Sequence, residues 1–166
     1  MSTLAESLTI GLADYRDPLD AADLLLLLDA YARDPMGGGT PLTLDVQERL
    51  VPALAGHPGA FSLIARLDGR PAGLANCFTG LSTFAARPLV NIHDMVVMPE
   101  YRGKALARHL LAAVEAEAMK RGACKLTLEV LGGNERAIAI YQKFGFTHYA
   151  LDPTKGTAQF WEKKLA

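Results

Sequence analysis

Between Phe61 and Arg121 the sequence lays down three apolar strand-like runs followed by one long helix, and this block constrains the fold more than any other feature. Phe61 to Leu67 is strand-like, Asp68-Gly69 is a hairpin turn signal, and Pro71 to Thr79 reads as the returning strand. Leu89 to Met98 is a third run, rich in Val and Ile. Pro99 and Gly103 punctuate its end, and Ala105 to Arg121 is predicted to form an amphipathic helix closed by Gly122. Strands joined by a two-residue turn pair antiparallel, so the sheet starts as a hairpin.

The flanking segments extend this pattern. Residues 8–12 alternate weakly and suit an edge strand. Asp17-Pro18 offers an N-cap with proline at the first helical position, opening a helix that runs to about Ala32. The run Leu24 to Leu28 is bounded by Asp23 and Asp29 and is far too short to span a bilayer, so it reads as the buried centre of that helix. Gly37-Gly38-Gly39-Thr40-Pro41 breaks the chain, and Thr43 caps a second helix ending near Gly56. Downstream, Lys125 to Val130 is predicted as a strand, Asn134 to Phe144 as a helix, and Phe146 to Leu151 and Thr157 to Leu165 as two closing strands. Early hairpins and late strand–helix–strand units predict an α/β fold: a mixed, mainly antiparallel twisted sheet of six to seven strands flanked by about four helices.

Composition narrows the class. A chain of 166 residues, half of them apolar, fits a single domain over 1–166 with a sizeable core. Its formal net charge of −1 argues against nucleic acid and gives no support for attachment to an anionic membrane. Cys77 and Cys124 lie far apart without metal-like spacing, and Met1 to Glu6 lacks the start of a signal peptide, so the expectation is a cytoplasmic protein with reduced thiols. His57, His109 and His148 are scattered and offer no metal cluster.

The junction from Val96 to Ala105 takes a strand into a helix through a short basic turn. The first N–H groups of a helix lack intrahelical partners, and the aligned peptide dipoles favour negative charge there. A pyrophosphate at that end would receive several backbone donors at once. Arg102 and Lys104 add positive charge, and Gly103 lets the backbone approach without a Cβ in the way. The spacing fits neither a P-loop nor a dinucleotide fingerprint. On these residues alone, a phosphate site and a surface turn with two incidental basic residues both stand open.

The stretch Val97-Met98-Pro99-Glu100-Tyr101-Arg102-Gly103-Lys104-Ala105-Leu106-Ala107 resembles the acetyl-CoA signature R/Q-x-x-G-x-G/A of the GNAT N-acetyltransferases. One position departs: Ala105 stands where the family places its first glycine, while Ala107 falls within the G/A choice. A second segment, with Asn134, Ala137, Tyr141 and then Phe144-Gly145-Phe146, resembles the family's C-terminal motif N-x-x-A-x-x-x-Y-x-x-x-G-F. Asn134 and Tyr141 are two helical turns apart and share a face. The resemblance implies a GNAT-like sheet and an acetyl-CoA site made by the backbone of Val96, Val97 and Met98, the turn Arg102 to Ala107, and Asn134 with Ala137 near the pantetheine arm. It implies that Tyr141 lies near the thioester sulfur, where a phenol with an ordinary pKa near 10 is a suitable donor to a departing thiolate. Tyr141 standing alone would read as a packing aromatic.

A base must neutralise the attacking amine, and Asn91-Ile92-His93-Asp94-Met95 supplies candidates. Strict alternation puts Asn91, His93, Met95 and Val97 on one face and Ile92, Asp94 and Val96 on the other. Histidine as a residue type is suited to proton transfer near neutrality, which makes His93 a candidate, while a strand histidine is also a common hydrogen-bonded groove residue. Diamine acetyltransferases of the family commonly carry Glu-Asp at this place, which reads His93-Asp94 here. Asp94 is open to two other roles, anchoring the substrate amine or satisfying a neighbouring backbone donor.

The expected activity is therefore transfer of an acetyl group from acetyl-CoA to a primary amine of a small molecule or peptide, without a metal. No cysteine with a nearby base suggests an acetyl-enzyme, so direct attack in a ternary complex is expected. A non-catalytic acyl-CoA-binding module of the same fold is the competing class. The resemblance implies an acceptor wall made by the loop from Arg33 to Leu42 and the helices around it, and Asp29, Asp34, Asp45 and Asp94 are compatible with a cationic amine. Family habit implies a homodimer.

Overall fold

The computed structural model describes residues 7–165. Met1 to Glu6, where a signal peptide would begin, lie outside the described residues. The chain divides into two compact units, one ending at Leu128 and one beginning at Glu129.

The first unit holds five strands: β1 (Leu8–Leu12), β2 (Ala60–Leu67), β3 (Arg70–Ser82), β4 (Arg87–Val97) and β5 (Leu126–Leu128). They lie side by side in the order β1-β2-β3-β4-β5. The first three pairings are antiparallel and the last, between β4 and β5, is parallel. The β2–β3 turn forms as expected. Asp68 and Gly69 both have positive φ, 50° and 76°, which a two-residue turn needs to match the twist of its strands.

Three helices pack on this sheet: α1 (Pro18–Arg33), α2 (Leu44–Gly56) and α3 (Leu106–Lys120). The caps predicted from sequence operate. Asp17 accepts from the Leu19 N–H with Pro18 in the first turn, and Thr43 accepts from the Val46 N–H. In the leucine run, Leu24, Leu27 and Leu28 are buried at helical spacing while Leu26 is half exposed, so one stripe of the run faces the core rather than all of it. These leucines pack with Val51 and Leu54 of α2 and with Ile64, Leu74 and Val96 of the sheet. Val97, the next residue of β4, joins Leu67, Ala72 and Leu106 of α3 in a separate cluster. Neighbouring strand residues point to opposite faces, so α1 and α2 cover one face of the sheet and α3 the other. Arg66 ties α1 to β2 through Asp20 and Asp23, at 2.7 and 2.6 Å.

The second unit contains α4 (Glu135–Phe144). Asn134 caps it by accepting from the Ala137 N–H, and Gly145 ends it in the left-handed conformation, with the Phe146 N–H bonded back to the Tyr141 carbonyl. Beyond this point the structure corrects the expectation of six to seven strands. Phe146 to Leu151 and Thr157 to Leu165 form no strand, and the sheet of the described residues has five. Both segments are rich in strand-favouring residues, but a strand is defined by its ladder. The Ala158 N–H bonds to the Tyr149 carbonyl without a ladder forming around it, and a short two-stranded pairing is marginal in water.

Candidate active site

β4 departs from the strict alternation predicted for it. Asn76 of β3 pairs with Asp94, yet the next residue, Cys77, pairs with Ile92, so His93 is an extra residue in β4. Such a bulge turns two successive side chains to one side. The His93 ring meets the edge of Phe78, and the Asp94 carboxylate accepts from the Asn76 side chain at 3.1 Å. Phe78 packs with the α1/α2 cluster, so His93 and Asp94 both look toward α1 and α2 rather than to opposite faces. His93 is exposed, and its ring extends an edge-to-face series through Phe78 to His57.

Asp94 ends a chain of hydrogen bonds that crosses the sheet. The Tyr15 hydroxyl meets the Ser62 hydroxyl at 2.9 Å, Ser62 donates to Asn76 Oδ1 at 2.6 Å, and Asn76 Nδ2 donates to Asp94. Ser62 and Asn76 are almost fully buried. Burial pushes the Tyr15 phenol above its ordinary pKa despite the Ser62 bond. Tyr31 of α1 is pushed up as well, first by burial and then by the negative charges of Asp94 and Asp34. Of the four acidic residues singled out in the sequence, three are matched by cations. Asp29 pairs with Arg33, Asp45 with Arg49 and Asp34 with Arg102. Asp94 has no cationic partner among the described residues.

The turn before α3 has the geometry of an anion site. Gly103 has φ 86°, Ala105 sits at φ 60° and ψ 12°, and α3 starts at Leu106 with no side-chain cap. The first N–H groups of α3 therefore have no partner within the helix. Leu106 is buried against Leu67 and Ala72, so it has only its backbone to offer a ligand, while Ala105 and Lys104 are exposed. Lys104 Nζ lies 6.0 Å from the centre of the Tyr101 ring. Arg102 donates through Nε to the Val97 carbonyl at 3.1 Å and through its second arm to Asp34 at 3.0 Å. The Met36 N–H and then Arg102 hold the Asp34 carboxyl below the usual range.

β4 is also left open along one edge. It pairs with β5 only from Val90 to Ile92. The Met98 N–H bonds to the Ala72 carbonyl on the β3 side, so the peptide groups of Val97 face the other way. The Val97 carbonyl there already accepts from Arg102, which leaves the Val97 N–H for the amides of an extended ligand.

In the second unit, Asn134 and Ala137 are joined by the cap bond, and the Tyr141 ring lies edge-on to Phe146 at 5.9 Å. Cys77 and Cys124 are both free thiols, and burial pushes Cys77 up to about 12, which leaves it no thiolate for nucleophilic attack. Among the described residues no cluster of metal-ligating side chains occurs, and no helix is long and apolar enough to cross a membrane. Sequence reasoning missed Tyr15, Ser62, Asn76 and Phe78. A signal was present: Ser62 and Asn76 are polar residues inside two otherwise apolar strands.

Comparison with known proteins supplies the family. The chain matches the model of the acetyltransferase (GNAT) family over residues 24–146. Streptothricin acetyltransferase of Streptomyces lavendulae is 37% identical over 100 residues, covering 59% of this chain and 51% of that protein. The ribosomal protein bS18-alanine N-acetyltransferase of Escherichia coli K12 is 40% identical over 55 residues, 33% of this chain and 37% of that protein. The matches thus span about half or less of these relatives' own length. A solved aminoglycoside N-acetyltransferase in complex with CoA shares the fold, with a TM-score of 0.74 at 18% identity over 99% of this chain and 100% of that one. The chain belongs to the GNAT acetyltransferase family.

Proposed function

We propose that this chain works as one acetyltransferase domain that moves an acetyl group from acetyl-CoA to a primary amine of a small molecule or peptide, by direct attack in a ternary complex. The observation that carries the reading is the uncapped start of α3 behind the Arg102–Ala107 turn, in a chain of this family. The residues present fit the co-substrate. The α3 N–H groups and Lys104 suit its pyrophosphate, and the open edge of β4 at Val97 suits the pantetheine amides. Arg102 would join the phosphates by exchanging Asp34 for them. In the second unit, Asn134 and Ala137 would meet the pantetheine arm.

When bound, acetyl-CoA supplies a thioester whose C–S bond breaks as the new C–N bond forms. Asp94, the one of those four acids with no cationic partner among the described residues, holds the incoming ammonium group. His93, on the same face because of the bulge, takes the proton that the amine must lose. The Tyr141 hydroxyl gives its proton to the departing sulfur. The inert Cys77 thiol supports direct transfer over an acetyl-enzyme. Relatives named for streptothricin and for an alanine of ribosomal protein bS18, and structures named for aminoglycosides, support an amine acceptor.

Initial rates measured with a polyamine, an aminoglycoside, a lysine ester and an alanine-initiated peptide test this reading. Intersecting double-reciprocal lines are expected for at least one amine. Parallel lines would point to an acetyl-enzyme. Tight acetyl-CoA binding without turnover on any amine would point to a non-catalytic module.

A further inference from the structure

We infer that Asn76 is a positioning residue that keeps Asp94 turned toward the acceptor amine, at the end of a one-way hydrogen-bond chain running from Tyr15 through Ser62. The inference rests on the reading of Asp94 as the group that meets the amine. The direction of the chain follows from donor and acceptor counting. An ionised carboxylate only accepts, so Asn76 must present Nδ2 to Asp94 Oδ2, at 3.1 Å. Its Oδ1 then faces Ser62, which must spend its one proton there, at 2.6 Å. The Ser62 oxygen is left to accept from the Tyr15 hydroxyl, at 2.9 Å. The reverse order would aim an amide oxygen at a carboxylate. Ser62 and Asn76 are 1% and 2% exposed, so bulk solvent does not reach them and losing a partner is costly. The chain therefore occupies one oxygen of Asp94 and leaves the other for the substrate. Tyr15, at the other end of the chain, packs against the α1/α2 cluster, which holds its hydroxyl at Ser62.

Exchanging amide and carboxylate separates positioning from plain structural support. Asn76→Asp sets two carboxylates face to face, and the acceptor kcat/KM is expected to fall at least about tenfold, mostly through the acceptor KM. The dissociation constant for acetyl-CoA should not change. The double variant Asn76→Asp with Asp94→Asn rebuilds the hydrogen bond but moves the charge into the buried position. It should recover the melting temperature lost by Asn76→Asp and not the acceptor kcat/KM. Full recovery of both would overturn the inference, because the hydrogen bond alone would then suffice. Ser62→Ala leaves the buried Asn76 Oδ1 without its donor, loosens the amide that faces Asp94, and should raise the acceptor KM about threefold or more. If Asn76→Asp does not fold, an unchanged acceptor KM in Ser62→Ala overturns the inference. Asp94→Asn is the separate arm. A loss of acceptor kcat/KM there, with Asn76→Asp at the wild-type value, overturns the positioning role alone. No loss in Asp94→Asn overturns the reading of Asp94 and the inference with it.

Discussion

Replacing Ala105 by glycine should make the protein more stable. Ala105 holds the left-handed conformation at φ 60° and ψ 12° at the entry to α3. For a residue with a Cβ that conformation costs about 1–2 kcal/mol, because the Cβ crowds the backbone carbonyl. Glycine removes the clash but loses more backbone freedom on folding, about 0.5–1 kcal/mol. The residue is exposed, so its methyl group contributes no packing to offset the gain. At the midpoints of these ranges the net effect is a stabilisation of about 0.75 kcal/mol, which for a chain of 166 residues raises the melting temperature by about 1.5–3 °C. The assay is thermal unfolding without ligand, run on Ala105→Gly beside Ala105→Val. Valine, β-branched, is a poorer occupant of this region and should melt below wild type. The dissociation constant for acetyl-CoA should fall in the glycine variant, because the methyl at the mouth of the anion site is gone. A glycine variant that melts lower than wild type, or a valine variant that matches it, would refute the left-handed strain.

Tyr141→Phe should lower kcat about a hundredfold or more while the acetyl-CoA dissociation constant stays within error, since only the proton donor is lost. Stopped-flow thiol release and a binding titration read the two quantities separately. In the native protein a thiol reagent at pH 8 should not label Cys77, whose thiol stays protonated; labelling there before unfolding would contradict its burial. Asp29 and Asp34 have carboxyls held below the usual range, Asp29 first by Arg33 and Asp34 first by the Met36 N–H. A depressed native pKa stabilises above the unfolded value near 4 and is lost as pH falls through the native value. Urea midpoints should therefore drop from pH 5 to pH 3, less steeply in Asp34→Asn than in wild type.

Local rules carried most of the elements. The Asp68-Gly69 turn, the Asp17, Thr43 and Asn134 caps and the stripe of α3 each depend on residues a few positions apart, and each was legible. The His93 bulge was not. Alternation in one strand says nothing of an extra residue opposite Asn76 and Cys77, because register belongs to the pair. The two closing strands failed for a related reason: β-favouring composition in Phe146 to Leu151 and Thr157 to Leu165 does not specify a partner. In the candidate site, the turn from Arg102 to Ala107 and the helix start behind it were readable because their residues are contiguous. The chain from Tyr15 to Asp94 joins four elements distant in sequence, and only the fold assembles it.

Acetylation of a panel of primary amines by the purified chain, followed by free-thiol release together with mass detection of the product, tests the central claim most directly. Stoichiometric thiol and singly acetylated amine are expected for at least one member, with the rate depending on both substrates. Thiol release that is zero across the panel despite saturable acetyl-CoA binding would contradict an N-acetyltransferase and leave a binding module in its place.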